Sequence, residues 1–153
     1  PTLADGNRAS WLAINFYLAE KAGGPLAPKN AAERAQMLQW TLFAATSIET
    51  PALAIQYALT DSSAKTEAGA AAIADNAQKL RRPFAVLDAH LATYGHVVGG
   101  RFTLADIALA ECTRYAQGHT VVSEFPALES WPLACQARPA FQAMWAKRLA
   151  EPM

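Results

Sequence analysis

The chain is 153 residues long, enough for one domain with a substantial core. Apolar residues make up 52% and charged residues 17%, which suits a folded globule and excludes a disordered segment. With 13 Lys+Arg against 13 Asp+Glu and no long charge run, the footprint of a nucleic-acid binder is absent. No apolar run is long enough to cross a bilayer and no leader pattern stands out, so neither a nucleic-acid nor a membrane partner is expected, and the expected location is cytoplasmic.

In chain order, Pro1–Gly6 (PTLADG) predicts a short strand entering an Asp-Gly turn. A lone hairpin is not stable by itself, so this piece reads as the tail of a sheet whose other strands are absent. Between Trp11 and Lys21, Leu12, Phe16 and Leu18 with small Ala13 and Ala19 predict a short helix that stops at Gly23-Gly24. Pro25–Asn30 is a loop. Asn30 with Glu33 predicts a capping box opening a long helix to about Leu59, with Leu38, Leu42, Ala45, Glu49 and Ala52 on one stripe and a kink at Pro51. Glu49 on that stripe reads as a buried polar contact at a domain or subunit interface. After the polar break at Asp61–Ser63, Ile73, Ala77, Leu80, Phe84, Leu87, Leu91 and Tyr94 alternate by four and three, predicting a second long helix antiparallel to the first.

Gly95–Gly100 (GHVVGG) is a turn, and GRFTLADIAL follows it. Thr103 as N-cap and Asp106 three residues on form a capping box, flanked by Phe102 and Ile107 as a hydrophobic staple, and the helix runs to about Tyr115. Pro126 starts a further helix; Pro139 ends it and starts the last, through Phe141, Trp145 and Leu149. The fold class is an all-α bundle without internal repeat. Cys112 and Cys135 are expected to be buried and reduced. His90, His96 and His119 share no metal-ligand spacing with one another or with the cysteines, so no metal site is expected.

Four stretches in this order resemble one family. They are AINFYLAEK (Ala13–Lys21), PKNAAERAQMLQW (Pro28–Trp40), VVGGRFTLADIALAE (Val97–Glu111) and FPALESWPLACQARPAFQ (Phe125–Gln142). They are similar to the glutathione transferases, with residues 1–24 as the last strands and closing helix of a thioredoxin-like domain and 25–153 as the helical C-terminal domain. The resemblance makes Thr103 and Asp106 a buried folding motif. It implies that Pro1 corresponds to the cis-proline of the thioredoxin-like domain. Ser10-Trp11 then stand where the family holds the γ-glutamyl carboxylate at a helix N-terminus, although the acidic residue and Ser usual there read Ser and Trp.

By position, the resemblance also implies a second-substrate wall of Met37, Trp40, Thr41 and Ala44, with Tyr115 and His119 at its other edge. Core packing or a dimer face is the competing reading of Met37 and Trp40. No catalytic residue can be assigned by matching, because the thiol-activating group of the family lies in the domain that precedes these stretches. The implied function is conjugation of glutathione to hydrophobic electrophiles by a detoxifying homodimer, with glutathione as co-substrate and no cofactor. The alternatives are a non-catalytic interaction module and an inactive truncated product.

Overall fold

The computed structural model describes residues 11–61 and 63–151. The expected hairpin, Pro1 and Ser10 lie outside them. Eight α-helices are described: α1 Trp11–Ala22, α2 Ala31–Phe43, α3 Thr50–Thr60, α4 Glu67–Tyr94, α5 Leu104–Arg114, α6 Thr120–Ser123, α7 Pro126–Gln136 and α8 Pro139–Ala150. A π-helical segment, Ala44–Glu49, joins α2 to α3, and a 3₁₀ turn, Ser63–Lys65, precedes α4. Among the described residues the extended pairing is limited to one antiparallel bridge, Val98 with Arg101.

Local chemistry explains the boundaries. Helix α1 stops where Gly23 takes φ +67, a left-handed conformation that a side chain resists. Asn30 caps α2 by accepting from the Glu33 N–H at 2.9 Å. The Glu33 carboxylate does not return to Asn30, as a capping box would require; it accepts from the Lys29 N–H at 2.8 Å and from Arg101. Pro51 has no N–H to give and its ring crowds the carbonyl one turn back. The chain accommodates it by widening the preceding turn into the π form, where a kink was expected.

The buried face of this long run is Met37, Thr41, Ala44, Ile48, Ala52 and Ile55. Up to the π segment it lies one position away from the expected stripe: Leu38 and Leu42 face outward and Ala45 and Glu49 are half-buried, whereas Ala52 is buried as expected. Leu18 on α1 is exposed as well. The pattern was ambiguous because Met37-Leu38 and Ala44-Ala45 offer apolar residues to either of two adjacent stripes, and the extra residue of the π turn brings the two stripes together at Ala52. The stripe of α4 follows its periodicity, with Ala77, Leu80, Phe84, Leu87 and Leu91 buried and only its ends, Ile73 and Tyr94, emerging. Trp40 meets His90 at 4.7 Å between ring centroids, which sets the start of the first long run beside the end of α4, antiparallel as expected.

Helix α5 is the axis of the bundle. Leu104, Ala105, Asp106, Ala108, Leu109, Ala110, Cys112 and Thr113 are all buried, and α1, α2, α3, the π segment and α7 pack around it. Its capping box is present. Asp106 Oδ2 accepts from the Thr103 N–H at 2.8 Å and the Thr103 hydroxyl at 2.9 Å, and Oδ1 accepts from the Val97 N–H at 3.1 Å. A second polar lock holds the loop ahead of α2 to the loop ahead of α5. Arg101 donates to both oxygens of Glu33 at 2.7 and 2.8 Å and to the carbonyls of Pro25 and Ala27. Gly99 makes room for that lock: its φ is +66, and a Cβ there would collide with the Arg101 guanidinium and Glu33 Oε1.

Candidate functional site

The last turn of α5 carries the polar groups that reach open space. Arg114 forms a two-pronged pair with Glu111 one turn back, Nε to Oε2 at 2.9 Å and Nη2 to Oε1 at 2.6 Å. The guanidinium also lies 5.1 Å from the ring centroids of both Tyr115 and Trp145. Its charge is thus met at the edge by a carboxylate and on its faces by aromatic rings.

Two cavities open on either side of this arginine. The larger, about 490 Å³, lies between the end of α3 (Gln56, Leu59), the end of α5 (Tyr115) and α8 (Phe141, Trp145). The other, about 410 Å³ and mostly apolar, is walled by Trp11 and Asn15 of α1, Ile107 of α5, and Ala140 and Met144 of α8. Arg114, Gln136 and Phe141 line both. On the α1 side the Trp11 indole N–H donates to Glu49 Oε1 at 3.1 Å, so the polar residue on the apolar stripe joins α1 to the π segment.

The titratable groups here are set for donation rather than nucleophilic attack. Burial, reinforced by the Glu111 carboxylate, pushes the Tyr115 phenol up to about 12, so it stays protonated at neutral pH and is available to donate a hydrogen bond to a ligand. Burial likewise pushes the Cys112 and Cys135 thiols up to about 12; both are free thiols, and neither carries thiolate at neutral pH. No three His, Cys, Asp or Glu side chains converge as a metal site among the described residues.

The structure separates the residues that sequence position had grouped. Tyr115 is on the wall of the larger cavity, and Trp11 on that of the smaller. Met37 and Ala44 are fully buried and Thr41 nearly so, which makes them core residues that a ligand does not reach. Trp40 is half-buried in an aromatic cluster with Phe43 and His90. His119 is an N-cap: its Nδ1 accepts from the Val121 N–H at 3.1 Å. Thr103 and Asp106 are wholly buried and line neither cavity. Sequence reasoning missed Gln56, Glu111, Arg114, Gln136, Phe141 and Met144 as wall residues. Only Glu111 and Arg114, at a helical spacing of three, left a signal that pairing rules catch.

The bundle has close counterparts of known structure. A possible glutathione S-transferase from Rhodopseudomonas palustris is 28% identical, with TM-score 0.67, over 91% of this chain and 64% of that one. A glutathione S-transferase from Pseudomonas fluorescens is 27% identical, with TM-score 0.75, over 90% of this chain and 68% of that one. A glutathione transferase family member from the same species, with two glutathione molecules bound, is 29% identical, with TM-score 0.73, over 86% of this chain and 60% of that one. The chain thus spans roughly two thirds of the length of these relatives. No curated protein matches it by sequence. The profile of the glutathione S-transferase C-terminal domain matches residues 34–139, well over half of the chain, and takes in α3, α4, α5, α6 and α7 entire. The chain belongs to the glutathione S-transferase family, and residues 34–139 of its bundle match that family's C-terminal domain.

Proposed function

We propose that this chain supplies the helical half of a glutathione transferase, holding the hydrophobic electrophile that glutathione attacks. The observation that carries the reading is the convergence of two cavities on Arg114 and Phe141, on the side of the bundle where α1 begins. In the reaction the glutathione sulfur loses its proton to solvent and bonds to the electrophilic carbon, which releases a leaving group or passes its electron pair to a conjugated acceptor. Positioning supplies a large part of such a rate enhancement. Neither Tyr115 nor the two cysteines is suited to lower a thiol pKa, since each holds its own proton at neutral pH. Thiol activation is therefore not assigned to these residues.

The same reading includes detoxifying activity, a cytoplasmic location and a homodimer. No helix among the described residues is long and apolar enough to cross a membrane. Titrating glutathione into this 153-residue chain by calorimetry, under reducing conditions near neutral pH, tests the proposal. Saturable binding, with thioether formation faster than the protein-free reaction once a halonitrobenzene is added, supports the transferase. Absence of heat up to millimolar glutathione would place the glutathione chemistry outside this chain, leaving it a structural half or, on the second reading, a non-catalytic interaction module. That reading draws on Trp11, whose indole is tied to Glu49 where the family holds a carboxylate.

A further inference from the structure

We infer that the larger cavity selects a neutral, planar aromatic molecule carrying an adjacent hydrogen-bond donor and acceptor, such as a fused-ring lactam, over a bare hydrocarbon of the same shape. This rests on reading that cavity as the second-substrate site and names the substrate class. Three features of the wall argue for it. The first is an aromatic stack in the wall: the Phe141 and Trp145 rings lie 12° from parallel with centroids 5.7 Å apart, one against the other. A planar ligand stacks on such a surface with little loss of internal freedom.

The second is charge. Arg114 is the one charged residue on this wall among the described residues, and Glu111 already neutralises it while two rings cover its faces. A charged ligand would lose water here and find no free counter-charge.

The third is hydrogen bonding. Gln56 and Tyr115 line the cavity, and neither side chain makes a hydrogen bond among the described residues. Beside them Gln117 and Gln136 face each other amide to amide, at 2.7 and 3.4 Å, showing that two such groups fit edge to edge at this end of the groove. A lactam offers Gln56 the same complementary edge. A hydrocarbon strips water from Gln56 and Tyr115 and returns nothing, the asymmetry that makes polar sites reject apolar analogues.

Equilibrium dialysis of the 153-residue chain without glutathione, using quinolin-2(1H)-one and naphthalene as probes, tests this. The lactam is expected to bind about tenfold tighter, the size of one or two net hydrogen bonds. Gln56→Leu and Tyr115→Phe are each expected to narrow that ratio to about threefold or less with little change in melting temperature. Equal or tighter binding of naphthalene overturns the inference. So does failure of both probes to bind at their solubility limits, or a preference that survives both substitutions. Glutathione is absent from this experiment, so its failure is distinct from a failed glutathione titration.

Discussion

Both oxygens of Asp106 are occupied inside the core, by two backbone N–H groups and one hydroxyl. Asp106→Ala leaves those donors buried without an acceptor, and the expected loss is about 1–3 kcal/mol in urea denaturation. Unchanged stability would remove the motif's structural role. Glu33 makes a pH prediction. Hydrogen bonds from Arg101 and from the Lys29 backbone hold its carboxyl at about 2, below its ordinary 4.5. A carboxyl depressed in the folded state contributes stability that is whole above about 4.5 and disappears as pH falls through about 2. Glu33→Gln is therefore expected to flatten the acid limb of stability between those values while lowering stability at neutral pH, as read by melting temperature across pH. An acid limb of unchanged slope would place the titration elsewhere.

Among the elements, α5 and α8 stand at opposite ends of the stability range. Nearly all of α5 is buried, whereas α8 has no buried residue. The described side-chain contacts tying α8 down include Arg114 over Trp145, and Gln142 donating to the Gln136 carbonyl at 2.7 Å. Amide exchange is expected to be slowest in α5 and fast throughout α8, and Arg114→Ala should speed α8 alone. Uniform protection of the two helices would contradict this.

The same contrast explains what was legible in the sequence. The α5 start was readable because a capping box is a local signal, carried by Thr103 and Asp106 three residues apart. The α4 stripe was readable because its large apolar residues stand apart from polar ones. The α2 stripe misled because adjacent apolar residues, Met37 and Leu38, let either of two neighbouring faces be read as the buried one. The cavity walls were least legible: Gln56, Arg114 and Phe141 meet from α3, α5 and α8, and nothing local to any one of them announces the others.

For the whole molecule, the distinction between core and wall is measurable. Met37→Ala should cost about 2–5 kcal/mol by leaving a void, whereas Tyr115→Phe, at the cavity, should cost far less. Similar losses for both would blur the boundary drawn here. Association is a separate matter. Leu38 and Leu42, one turn apart on the outer side of α2, are 40% and 54% exposed. If they lie in the proposed homodimer face, Leu42→Glu should shift sedimentation toward monomer without unfolding the chain. A variant that sediments as wild type would move that face elsewhere.

The two thiols also make the protein its own stopwatch. Cys112 sits in the fully enclosed axis, while Cys135 lies on the wall of the apolar cavity beneath α8. A maleimide reacts with thiolate, which neither cysteine supplies in the closed fold, so alkylation waits for the chain to open. Modification at Cys135 would time the lifting of the terminal helix, and modification at Cys112 the collapse of the entire bundle. One reagent, read by mass spectrometry, would resolve two clocks in a single sample.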